Sequence, residues 1–124
     1  MGEEQRSTIE PWSVWRKIEG TTTNAYADAM DWITQTISRK SILLKNTHAL
    51  NGLNYKLLTQ MSLAISVDTQ DPVQDEKVSE ETLAAGEVAE FLYTRAYARM
   101  ILQVKAEVAD SQATYRIDRL GEGI

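Results

Sequence analysis

Asn46-Thr47-His48-Ala49-Leu50-Asn51-Gly52-Leu53-Asn54 is the stretch on which the reading of the fold turns. It lies inside a long segment, Asn24 to Ser66, whose apolar residues otherwise recur at helix-like intervals. Asn46, Asn51, Gly52 and Asn54 all weaken helix propensity, yet an interior Asn or Gly loses only about 0.7–1 kcal/mol against Ala. Tertiary packing offsets that easily, so the reading takes a kinked or continuous helix here over a true loop. Unbroken, the segment would extend about 65 Å.

On the N-terminal side, Tyr26, Met30, Ile33, Ile37, Ser41 and Leu44 follow alternating spacings of four and three, with Ser41 the polar exception. Beyond the Asn-rich stretch the clearest row is Leu43, Leu50, Leu53, Leu57, Met61 and Ala64, nearly opposite on an ideal helix. A single straight helix with one buried face cannot serve both rows. Thr21-Thr22-Thr23-Asn24 supplies N-cap acceptors for this helix, and Asp28 and Asp31 complement its dipole.

Residues 67–78 form an acidic connector broken by Asp71-Pro72, after which Ser79 opens a second long helix over 79–120. Val67 to Glu90 carries eight acidic residues against the single Lys77, which reads as a solvated, strongly negative tip. In the second helix Tyr93, Tyr97, Met100, Val104, Val108, Ser111 and Tyr115 make one stripe. Phe91, Ala98, Leu102, Ala106, Ala109, Ala113, Ile117 and Leu120 make a second row, and Leu120-Gly121 reads as the helix end before a tail over 121–124.

The 1–20 arm contains a short helix between Pro11 and Gly20, with Trp12, Trp15 and Ile18 on one face. The expected fold is therefore an all-α, long antiparallel helical hairpin with a short N-terminal helix, one domain over 1–124. Two such helices share only one seam, so their remaining apolar rows call for oligomerisation, in coiled-coil fashion, to complete the core. The competing arrangement is a compact three- or four-helix monomer broken near Gly52. Interface residues expected on this basis are Trp12, Trp15, Tyr93, Tyr97, Met100, Val104, Val108, Ala98, Leu102 and Ala109.

Composition narrows the function classes. With 43% hydrophobic and 25% charged residues, the chain has the make-up of a folded domain rather than a disordered one. A net charge of −5 disfavours a phosphate-tracking surface, so nucleic acid is not expected as a partner. No apolar run reaches the roughly 18–20 residues of a membrane span, and the N-terminus lacks a cleaved signal. Gly2 is followed by Arg6 where myristoylation wants Ser or Thr. A soluble protein is expected, with the compartment open between the cytoplasm and export by a specialised route.

Zero cysteines remove disulfides, thiol catalysis and thiolate metal sites. His48 is the only histidine, which rules out paired-His metal centres, and the acidic connector lacks the EF-hand pattern. Neither a P-loop nor a nucleophile elbow occurs. Arg95 and Arg99 beside Tyr93 and Tyr97 suit ion pairs or an interface rim better than an anion or RNA site. No catalytic residue, cofactor or metal is expected. The function read from sequence is a non-enzymatic structural or interaction subunit forming a homo-oligomer, filament or larger machine. Its alternative is an adaptor, secretion chaperone or inhibitor that binds a heterologous protein.

Overall fold

The computed structural model describes residues 12–60, 78–94 and 97–123, and these contain eight β-strands and no helix. They are β1 Trp12–Thr21, β2 Ala27–Ile33, β3 Arg39–Asn46, β4 Leu53–Gln60, β5 Val78–Leu83, β6 Val88–Tyr93, β7 Arg99–Ala106 and β8 Thr114–Gly123. One sheet runs β1-β8-β3-β6 and the other β2-β7-β4-β5, with every pairing antiparallel.

The helical hairpin is thus overturned, along with the all-α and coiled-coil descriptions. A spacing of four residues fits a helix, but it also fits a strand, where i, i+2 and i+4 share a face. Met100 and Val104 are four apart and both buried, and so are Leu102 and Ala106, which an ideal helix would put on a different side. All four belong to one inward row of β7, alternating with Arg99, Ile101, Gln103 and Lys105. The same happens in β4, where Leu53, Tyr55 and Leu57 point inward between Asn54, Lys56 and Leu58. The i+2 partners decide the matter, and the helical rows pass over them.

Between Asn46 and Leu53 the chain makes a true loop rather than a kink. Buried Asn46 organises it: Nδ2 donates to Asn51 O at 2.9 Å and Leu83 O at 3.0 Å, while Oδ1 accepts from His48 N at 2.9 Å. His48 Nδ1 in turn accepts from Leu50 N and Asn51 N at 3.0 and 2.8 Å. Both residues that looked like weak helix formers or surface groups are therefore the polar framework of the β3–β4 crossover.

Asn24 has a similar change of role. Its side chain does not cap a helix but holds the β7–β8 loop, accepting from Asp110 N and Gln112 Nε2 at 2.9 and 2.7 Å. The short helix expected before Gly20 is instead β1, whose alternation separates Trp15 from Trp12 and Ile18. Residues 121–123 are not a tail: Gly121 and Gly123 are buried in β8. The acidic connector at 67–78 lies outside the described residues apart from Val78, the first residue of β5.

The core fills the space between the sheets with Met30, Trp32, Ile42, Leu44, Leu53, Leu57, Leu83, Met100, Leu102, Val104 and Ile117, among others. Pairings such as Trp12 with Gly123 join residues far apart in sequence, which local periodicity cannot reveal. The β5–β6 connection turns at Gly86, whose φ of 80° favours glycine. A Cβ there would meet nothing within 4 Å, so Gly86→Ala is expected to cost about 1 kcal/mol from backbone strain alone. Urea denaturation would read that loss.

Candidate functional site: the outer face and free edges of one sheet

The two sheets present different outer faces. On the β2-β7-β4-β5 sheet the polar groups are engaged with one another. Tyr26 donates to Glu80, Lys56 and Lys105 stack over the Tyr26 ring at 4.3 and 5.0 Å, and Lys105 pairs with Glu80 at 3.7 Å. Burial, then the hydrogen bond and charge of Glu80, push the Tyr26 hydroxyl well above its usual range. Arg99, expected in an ion pair or an interface rim, is hydrogen-bonded through both Nε and Nη2 to Asp31, holding that carboxyl below its ordinary value. Arg95 lies outside the described residues.

The β1-β8-β3-β6 sheet is different. Its register places Trp15, Leu120, Ser41 and Leu92 in one outward row across all four strands. The next outward row is Lys17, Asp118, Leu43 and Glu90. Between them lies an open groove of about 400 Å³ lined by Trp15, Leu43, Leu92 and Leu120. Trp15 is 56% exposed and Leu92 60%, so both edges of the row face solvent. Among the described residues, eight large hydrophobics are exposed, and five of them, Trp12, Val14, Trp15, Val88 and Leu92, sit on the two edge strands β1 and β6. Exposed apolar side chains along the open edges of a sheet mark places where another chain can pair.

Trp15 does not hang free. Its Nε1 donates to Asp118 Oδ1 at 3.0 Å, and Arg116 forks onto the same carboxylate at 2.9 and 3.0 Å. These donors, Arg116 foremost, hold the Asp118 carboxyl below its usual range. A depressed carboxyl stabilises the fold above its unfolded pKa of about 3.9 and stops doing so as pH falls through the lower folded value. Asp118→Asn is therefore expected to lower Tm by about 2 °C or less near neutrality, the pair being solvent-screened, and by nothing in strong acid. Thermal melts across pH would show the difference closing.

A second opening, about 450 Å³, lies between the sheets at the β1/β2 edge and is lined by Trp12, Val14, Arg16, Trp32, Ile33, Ile37 and Arg119. Arg16 and Arg119 are direct cross-strand partners, and Arg119 lies over the Trp32 ring at 5.0 Å. Arg119 Nε is buried without a hydrogen-bond partner among the described residues. Burial and the charge of Arg16 both push the Arg119 guanidinium down.

The residues expected at an interface fall into two groups. Trp12 and Trp15 are exposed on β1, Val108 and Ala109 are exposed in the β7–β8 loop, and Tyr93 is half-buried on β6. Tyr97, Ala98, Met100, Leu102 and Val104 lie inside the protomer's own sandwich. Leu92 and Leu120 share the row of Trp15 and Leu43 lies in the next; none was expected at an interface, because only the sheet register brings them beside Trp15. Among the described residues there is no cluster of three or more metal-ligating side chains. No helix there is long and apolar enough to cross a membrane.

Two four-stranded antiparallel sheets in the order 1-8-3-6 and 2-7-4-5 define a jelly-roll β-sandwich. Solved structures of the same fold class include Bacillus endospore appendages, described as disulfide-linked pili, at 12% identity and a TM-score of 0.60, covering 91% of this chain and 87% of that one. A decameric BFDV capsid protein is similar at 9% identity and a TM-score of 0.54, covering 92% and 97%. A mitogen derived from Yersinia pseudotuberculosis follows at 10% identity and a TM-score of 0.53, covering 87% and 86%. Pilus, capsid and mitogen proteins thus stand among the structural neighbours, and at these identities the likeness is one of fold. No protein-family model and no curated protein sequence matches the chain.

Proposed function

We propose that this chain is a non-enzymatic structural subunit that assembles with copies of itself through the edges of its β1-β8-β3-β6 sheet. The observation that carries this reading is β1: ten residues long, bonded among the described residues to β8 alone, with Val14 and Trp15 exposed. A long edge strand with exposed apolar side chains is a template for pairing with another chain. The pilus and capsid proteins among its fold neighbours support the reading as examples of this sandwich used in assemblies. Unlike the disulfide-linked pili, a chain without cysteine would hold its copies together by noncovalent contacts.

The second reading is an adaptor for a heterologous protein. It is favoured by the cleft at the β1/β2 edge, where Arg16 and Arg119 oppose each other and Arg119 Nε has no hydrogen-bond partner among the described residues. Light scattering coupled to size exclusion, run over a concentration series, separates the two. A species whose mass rises to a multiple or polymer of 14.0 kDa supports the structural subunit. A monomer at every concentration removes it and leaves the adaptor. Trp15→Ala is expected to weaken assembly while leaving the monomer fold intact, since the side chain is mostly solvent-exposed.

A further inference from the structure

We propose that copies join head to tail, with β1 of one copy adding antiparallel to β6 of the next so that Lys17 lies opposite Glu90. This rests on the self-assembly reading and specifies its seam.

Strand direction permits it. Going across the sheet, β1, β8, β3 and β6 alternate in direction, so an antiparallel neighbour added to β6 runs the same way as β1 itself. The added copy continues the sheet without reversing it. Such a heterologous contact leaves a free β1 and a free β6 at the two ends, which makes a ring if it closes and a filament if it does not.

The side chains favour one register. With Lys17 opposite Glu90, the six residues of β6 meet Val14 to Glu19 as follows: Trp15 meets Leu92, Ile18 meets Ala89, Val14 meets Tyr93, Arg16 meets Phe91 and Glu19 meets Val88. Three pairs set apolar against apolar, a guanidinium crosses an aromatic ring, the Lys–Glu pair is of opposite charge, and Glu19 against Val88 is the one mismatch. The groove row of Leu92, Ser41, Leu120 and Trp15 would then run on into the Trp15 of the added copy. A slip of two residues one way puts Trp15 opposite Glu90, and the other way sets Glu19 against Glu90. A slip of one residue turns every side chain to the wrong face.

Other edge pairings are opposed. A two-fold pair of β6 strands centred on Glu90 brings like charges together, and so does a two-fold pair of β1 strands centred on either Arg16 or Lys17. The other sheet offers less. Both of its edges carry carboxylates, Asp28 and Asp31 on β2 and Glu80 and Glu81 on β5, and both are irregular, with register shifts between Asp28 and Met30 and between Tyr55 and Leu57. Irregular edges of this kind resist strand addition. Among the described residues Glu90 has no ion-pair partner, and Lys17 is shared between the exposed Glu19 at 3.7 Å and its cross-strand neighbour Asp118.

A charge swap tests the seam. Lys17→Glu and Glu90→Lys are each expected to raise the concentration needed for assembly about tenfold, and the double variant to bring it back toward that of the unaltered protein. Thermal melts of the dilute proteins report whether the fold survives, which both exposed positions favour. Assembly unchanged in the single variants, or no recovery in the double variant, would overturn the seam while leaving self-assembly standing. A monomer in the unaltered protein would instead remove the assembly reading itself.

Discussion

Asn46→Leu is expected to destabilise the protein by about 3 kcal/mol or more, because it strips partners from three backbone groups at once. The Asn46 side chain serves the carbonyls of Asn51 and Leu83 and the amide of His48, within a loop whose end is buried. Leu fills the volume and offers no donor or acceptor. Each orphaned group carries a desolvation penalty of about 1–3 kcal/mol where water cannot reach it. The helical reading predicts the opposite sign, since Leu exceeds Asn in helix propensity by roughly half a kcal/mol. Urea denaturation read by intrinsic fluorescence separates the two: a large fall in midpoint at unchanged slope supports the loop, and a small rise supports a helix.

Leu102→Ala is the second large effect, expected at about 3 kcal/mol. Leu102 is fully buried at the centre of β7, with Met30 of β2 and Leu57 of β4 as its cross-strand neighbours. Truncation leaves a cavity that two flanking strands cannot collapse to fill. Set against a typical domain stability of about 5–15 kcal/mol, the loss is a large fraction of the total. Val108→Ala is expected to change stability by less than about 0.5 kcal/mol. A helical stripe would make Val104 and Val108 equivalent, whereas here Val104 is 3% exposed and Val108 60%. Denaturation of Leu102→Ala and Val108→Ala side by side reads the contrast.

Part of this structure was legible in the sequence and part was not, for reasons visible in particular residues. Leu53, Tyr55 and Leu57 after Asn51-Gly52 carry a strand signal, a turn followed by strict alternation. It is masked because Leu53 and Leu57 also satisfy a spacing of four, and because Leu58 beside Leu57 blurs the alternation. Met100, Leu102, Val104 and Ala106 carry the same signal, blurred by the apolar, buried Ile101 and hidden further by splitting them into two helical rows. The acidic bias after Val67 was plain, and the described part of it, Glu80, Glu81, Glu87 and Glu90, lies along β5, β6 and the turn between them. What no local pattern contains is the pairing of β1 with β8 or of β3 with both β8 and β6. The candidate surface depends on those pairings, since Trp15, Leu120, Ser41 and Leu92 are neighbours only through them. Trp15 stood out by residue type alone, whereas Leu92 and Glu90 gave no sign of being its counterparts.

Amide hydrogen exchange, compared between concentrated and dilute protein, tests assembly through this sheet most directly. If copies join by strand addition at the β1-β8-β3-β6 sheet, amides of β1 and β6 that face the open edges gain protection on concentration, while those of β2 and β5 do not. Protection gained at β2 and β5 instead, or no difference between concentrations at β1 and β6, would contradict the account.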